Sequence, residues 1–193
     1  AYRGEHGARS ESKFQSRLGS LSFGSIEAAK TYATQPNHYH ERPVDPRVYK
    51  AHITIENPIF NNPNDPFVDL DILRKAIGDE KTLQIARDLE DHLLNTNNFL
   101  ELLEDHDCMT LDDLHEKLGS DVLDLLYVDA YPVMDSETYV EWFKELGYDG
   151  AVHGGNGATA LEAEYKIFDP SQAQIIKEYD LSPKRQAAVE PSL

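Results

Sequence analysis

From Leu161 to Phe168 the chain reads Leu-Glu-Ala-Glu-Tyr-Lys-Ile-Phe, just after a loop with glycines at 154, 155 and 157. Tyr165 and Ile167 alternate with Glu164 and Lys166, the period of a strand whose side chains point to opposite faces. A second run, Val48 to Glu56, alternates in the same way, with Tyr49, Ala51, Ile53 and Ile55 against Lys50, His52, Thr54 and Glu56. Strand periodicity therefore stands on both sides of a segment of another kind. Residues 69 to 126 read as helix. Within Asp79 to Leu94, residues Ala86, Leu89 and Leu93 form one apolar stripe. Thr110 can cap Leu111 to Leu118, with Asp113 at the capping-box position and Gly119 as the stop.

The remaining segments fit the same division. A short strand within Gly19 to Ser25 runs straight into a helix from Ile26 to Ala33, for which Ser25 is a plausible N-cap. Residues 34 to 47 carry three prolines and read as loop, and the Asn/Pro-rich run from Asn57 to Pro66 reads as turn. Ser136 to Leu146 places Tyr139, Phe143 and Leu146 on one helical face. Asp149 to His153, Glu164 to Phe168 and Gln174 to Lys177 read as strands. The fold class is α+β: one domain over residues 1–180 with an acidic helical insertion at about 65–130, then a polar tail at 181–193 that reads as linker. Ala1-Tyr2-Arg3-Gly4 looks like the end of a strand, so both ends fit a domain within a longer gene product.

Net charge is −17, and its placement matters more than its size. Between Asp65 and Glu145 stand 22 Asp/Glu against 6 Lys/Arg, while the rest of the chain, with 13 against 12, is nearly balanced. Such a chain is not built to bind nucleic acid by neutralising phosphates. The acidic segment fits a solvated helical face, a dock for a basic partner or a nucleic-acid mimic. No apolar run approaches the roughly 18 residues of a membrane-spanning helix. Cys108 is the lone cysteine and cannot form an internal disulfide, which fits a reducing compartment.

Extended along one strand face, Glu162 and Glu164 lie about 7 Å apart at the mouth of the glycine loop. Two carboxylates so placed can divide two tasks, one stabilising a developing cation and the other taking a proton. That pattern points to chemistry at a sugar-like centre. Read alone, Arg3 and Glu162 fit surface charges equally well, and Ser22 and Ser25 fit turn and cap residues. Other constellations lead nowhere. His38-Tyr-His40 has no further ligand at a metal-site spacing, and Asp65 to Asp71 lacks the glycine of a calcium loop. Asp105-His106-Asp107-Cys108 has no second motif to support thiol chemistry. The glycines at 154, 155 and 157 precede a strand rather than a helix, so they are no dinucleotide fingerprint.

Five motifs in order carry a resemblance. They are Tyr2-Arg3-Gly4; Ser22-Phe23-Gly24-Ser25 with Ala29-x-x-Tyr32-Ala33; Val48 to Ile59 with Glu56-Asn57-Pro58; Gly147-Tyr-Asp-Gly-Ala151; and Glu164-Tyr-Lys-Ile-Phe-Asp-Pro-Ser-Gln172. Together they resemble the ADP-ribosyltransferase superfamily, in the form found in large phage polyvalent and virion-associated proteins; the acidic middle has no match. The resemblance implies a pair of mostly antiparallel sheets around an NAD cleft. It implies a mono-ADP-ribosyltransferase that uses NAD as donor, releases nicotinamide and modifies a host protein side chain, arginine where the residue two before the late Glu is itself Glu. The setting it implies is the cytoplasm of a host bacterium, reached by infection or with the virion, with no metal and no membrane partner.

The resemblance also assigns roles. Arg3, beside Gly4, would hold a phosphate or ribose of NAD; Ser22 would anchor the nicotinamide ribose or brace the glutamate; Phe23 would pack on nicotinamide. Glu164 would bind the ribose hydroxyl and stabilise the cation, Glu162 would orient or deprotonate the acceptor, and the loop from Gly154 to Ala160 would face the target. The serine motif reads Ser-Phe-Gly where the superfamily has Ser-Thr-Ser, so Ser22 or Ser25 fills that role. Many members of the phage form have His where Arg3 stands, which places this chain nearer the arginine-type class. The competing expectation is a non-catalytic or NAD-hydrolysing module that docks on a basic or nucleic-acid-binding host protein through the acidic insertion.

Overall fold

Each of the two alternating runs becomes an interior strand of a sheet. The computed structural model describes residues 1–6, 18–35, 45–155 and 162–182. In it β1 (Tyr2–Glu5), β3 (Arg47–Ile53) and β9 (Ala173–Asp180) form an antiparallel sheet in the order β1-β3-β9. A second sheet has the order β2 (Leu21–Phe23), β8 (Ala163–Ile167), β7 (Gly150–Gly154) and β4 (Pro58–Asn62), antiparallel except for the parallel pair of β4 with β7. Leu21, Phe23, Tyr49, Ala51 and Ile167 form the apolar layer that unites residues of the two sheets. The sheets are also joined at one point by reciprocal backbone bonds between Tyr2 and Gly24, at 2.9 and 2.8 Å.

The helix α1 (Ile26–Thr34) follows β2 directly, and Ser25 caps it by accepting from the Ala28 amide at 3.1 Å. Ala29 and Ala33 pack on Val48 of β3. β1 lies so close to α1 that a Cβ on Gly4 would sit 1.9 Å from the Ala29 carbonyl oxygen, which is why no side chain stands there.

The acidic segment leaves and rejoins the sheets through a short antiparallel ladder of β5 (Phe67–Asp69) and β6 (Tyr127–Asp129). Between them run α2 (Leu70–Ile77), α3 (Asp79–Asp88), α4 (Glu90–Leu93), α5 (Asn97–Asp105), α6 (Leu111–Leu118) and a 3-10 turn at Gly119–Leu125; α7 (Ala130–Asp135) and α8 (Glu137–Glu145) follow. Thr110 and Asp113 form the expected capping box at α6. One continuous core runs from Ile59 and Phe60 of β4 through Leu70, Ile85, Phe99, Leu114 and Phe143 to Ala151 and Phe168. The helices thus share their core with the second sheet. All six Lys and Arg between Asp65 and Glu145 are engaged: Arg74 with Asp79 and Asp124, Lys75 with Asp71, Arg87 with Asp112, Lys117 with the His106 carbonyl, Lys144 with Glu141, and Lys81 over the Trp142 ring. Glu101, Glu104, Asp105, Glu116 and Asp121 face solvent.

The α+β class is as expected, and three details differ. The run from Asn57 to Pro66 contains β4 and is not all turn: Pro58 opens the strand, Ile59 and Phe60 are buried, and pairing with β7 outweighs the local Asn/Pro signal. Asp79 to Leu94 is not one helix, because Leu89 leaves helical geometry at φ −111° and separates α3 from α4. β9 extends well beyond Gln174 to Lys177.

Candidate active site

Three of the expected residues come from three different strands and meet in one cleft. Its volume is about 560 Å³, and β1, β2, β8, α1 and α7 all contribute to its lining. Arg3 reaches in from β1. Its Nε donates to Glu5 Oε1 at 2.7 Å and its Nη1 to the Ser22 carbonyl at 3.1 Å, while Nη2 has no partner among the described residues. Ser22 stands in β2 opposite Lys166 of β8. Phe23 lines the cleft but is fully buried, its ring belonging to the layer between the sheets. Gly4 also lines the cleft.

The centre of the site is a side chain that strand periodicity left as an ordinary polar residue. Lys166 is only 2% exposed, and its Nζ reaches Ser22 Oγ at 2.7 Å, Glu164 Oε1 at 2.9 Å and Asp135 Oδ1 at 3.0 Å. Glu164, 12% exposed, shares its strand face with Lys166, and that parity was the one available signal: a cation two residues after the carboxylate lies beside it. Asp135 and Tyr131, both of α7, also line the cleft and had no signal in the sequence. Tyr131 is held edge-on by His92 at 5.7 Å, and His92 Nδ1 is 2.9 Å from Asp129. Tyr32 of α1, expected on a packed helical stripe, is instead 61% exposed and forms another wall of the cleft.

Two expected residues are not in the cleft. Ser25 is the cap of α1 and faces a second cavity, about 940 Å³ in volume. Glu162 lies ahead of β8, where strand alternation no longer applies, and lines that second cavity with the odd-numbered Ala163 and Tyr165. Of the glycine loop, residues 156–160 lie outside the described residues. Gly154 and Gly155 are fixed by their amides donating to the Asp65 and Glu162 carbonyls at 2.7 and 2.6 Å.

Across β7 and β8 the partner of Glu164 is His153, which is 1% exposed. Its Nδ1 lies 2.6 Å from the Gly154 carbonyl, which can only accept, so Nδ1 carries the proton, and Nε2 is buried without a partner among the described residues. Burial pulls the imidazole pKa below its ordinary 6.5, against the opposing pull of the Gly154 carbonyl and Glu164. A base whose folded pKa is depressed contributes stability above its unfolded pKa and loses it as pH falls through the window between that value and the folded one. His153→Asn is therefore expected to flatten the loss of stability below about pH 6.5, measured as the difference between the two proteins in urea midpoints at pH 7.5 and 5.5. Identical pH dependence in both would show that His153 is not the group being charged.

No family model matches the chain, and neither a curated protein nor a solved structure matches it. Function has to be read from the chemistry of the cleft.

Proposed function

We propose that the chain is a mono-ADP-ribosyltransferase that cleaves NAD between nicotinamide and ribose and passes ADP-ribose to a protein side chain, arginine. The reading is carried by the convergence of Arg3, Ser22 and Glu164 on one cleft of about 560 Å³, within the roughly 300–1,000 Å³ usual for small-molecule sites. The residues suit the donor. Arg3 keeps a guanidinium N–H for a phosphate or ribose oxygen, Ser22 offers a hydroxyl, and Tyr32 and Tyr131 give aromatic walls for a planar ring.

Nicotinamide in NAD is a cationic leaving group on the ribose anomeric carbon. As the bond breaks, its electron pair returns to the ring nitrogen and positive charge develops on the ribose. Glu164 supplies a fixed negative charge where that cation forms, which is how a preorganised site lowers such a barrier. The acceptor nitrogen then bonds to the anomeric carbon and gives up a proton. Glu162, outside the cleft, takes part at the acceptor stage only. The test is to incubate the protein with labelled NAD and bacterial lysate, following nicotinamide release and label on protein. Release with labelled protein supports the reading, and release without it identifies hydrolysis to water. Neither product from folded protein would sink it.

The exposed carboxylates of the insertion, with all five of its cations internally engaged, favour a second reading in which this surface docks a basic protein. Screening beyond the Debye length of about 8 Å at physiological salt weakens such docking. Raising salt from 0.05 to about 0.5 M is expected to cut label transfer to protein several-fold while nicotinamide release to water is unchanged. Equal salt sensitivity of both would remove the dock.

A further inference from the structure

We infer that Lys166 is the positioning residue of the cleft and that Asp135 of α7 holds it in place; this rests on the ADP-ribosyltransferase reading and extends it. A buried ammonium is costly unless its donors are met. Lys166 has three N–H donors and no acceptor; it donates to Ser22 Oγ at 2.7 Å and Asp135 Oδ1 at 3.0 Å, and Glu164 Oε1 pairs with its charge at 2.9 Å. Two carboxylates thus neutralise the buried ammonium, and two hydrogen bonds orient it. Those partners come from β2, from β8 itself and from α7, so three elements are fixed on one nitrogen.

The consequence for Ser22 is directional. A hydroxyl has one donor and two acceptor sites. Because Lys166 can only donate, Ser22 Oγ must accept, and its single O–H is released to point elsewhere. Among the described residues no acceptor takes it, and Ser22 lines the cleft. Ser22 is thereby presented as a donor to an oxygen of the ligand, a ribose or carboxamide oxygen in NAD. Glu164 Oε1 is paired with the same ammonium, which fixes where that oxygen and its charge sit. Lys166 thus stands between serine and glutamate and orders both. Asp135 supplies the second negative charge beside the ammonium, so the helical segment enters the cleft through α7.

The experiment measures kcat and KM for nicotinamide release from NAD by the wild-type chain and by Lys166→Met, Ser22→Ala, Asp135→Asn and Ser22→Ala/Lys166→Met, with circular dichroism reporting folding. Lys166→Met is expected to lower kcat by about 10²-fold with KM within about threefold. Ser22→Ala is expected to lower kcat by about tenfold, and the double variant to be no slower than Lys166→Met, since residues acting as one unit do not add. Folded Lys166→Met with kcat within about threefold of wild type, or additive Ser22 and Lys166 losses, overturns the inference. Should Lys166→Met not fold, Asp135→Asn and its double variant with Ser22→Ala carry the same test of additivity. A wild-type chain that releases no nicotinamide defeats the ADP-ribosyltransferase reading itself; an active wild type with an indifferent Lys166 defeats the inference alone.

Discussion

Glu164→Gln is expected to slow nicotinamide release by about 10²- to 10³-fold, the loss typical of removing one preorganised electrostatic contact to a transition state. The substitution keeps shape and keeps an oxygen that can accept from Lys166, so the 2.9 Å contact has a neutral replacement. What disappears is the negative charge facing the developing cation. Lys166 retains Asp135 at 3.0 Å and Ser22 at 2.7 Å, so the buried ammonium is not left alone and the fold should persist. Because the charge matters most once the ribose turns cationic, kcat carries the loss and KM changes little. Initial rates of nicotinamide formation, with circular dichroism melts run in parallel, check this. A folded variant within threefold of wild type would show that the cleft does not use this carboxylate.

Gly4→Ala is expected to destabilise the chain by about 3 kcal/mol, the upper part of the usual cost of overpacking. The added Cβ would lie 1.9 Å from the Ala29 oxygen and 2.9 Å from both the Ala29 carbon and the Ala33 nitrogen. All three are backbone atoms of α1, so no side chain can swing aside; strand or helix must shift as a whole. For a chain of this length the loss corresponds to a thermal midpoint lower by about 6–12 °C. Arg3, next in the strand, moves with β1, so nicotinamide release should fall as well. An unchanged midpoint would mean that β1 does not rest on α1 in solution.

Much of this architecture could be read from residue order, and the unread part has physical causes. Period-two alternation located β3 and β8 to within a few residues; in β3 Tyr49 and Ala51 are buried and Lys50 and His52 less so, whereas in β8 Lys166 and Ile167 are buried on opposite faces. The Thr110 and Asp113 box, a purely local device, was legible in full. β4 was not, since an Asn/Pro-rich run becomes a strand only once β7 lies beside it, some 90 positions away in the chain. Arg3, Ser22 and Glu164 were legible as a set. Lys166 was not, because its burial depends on Asp135 and Ser22, which are 31 and 144 residues distant. Glu162 shows the limit of parity: alternation holds inside a strand, and β8 begins one residue later, at Ala163.

The paired strands β5 and β6 have a consequence for how this chain can change over time. The backbone bonds from Leu70 to the Leu126 carbonyl at 2.9 Å and from Ala130 to the Pro66 carbonyl at 2.8 Å continue that ladder on both sides. Everything from 70 to 126 therefore departs and returns through a single doorway. Lengthening or trimming the excursion alters closure entropy by only about 0.6 kcal/mol per doubling of length, provided the core it shares with Ile59, Phe60, Phe143, Ala151 and Phe168 stays filled. The doorway, not the excursion, sets where α7 begins, and with it Tyr131 and Asp135. A lineage could thus rewrite the acidic surface while the geometry around Lys166 stays fixed.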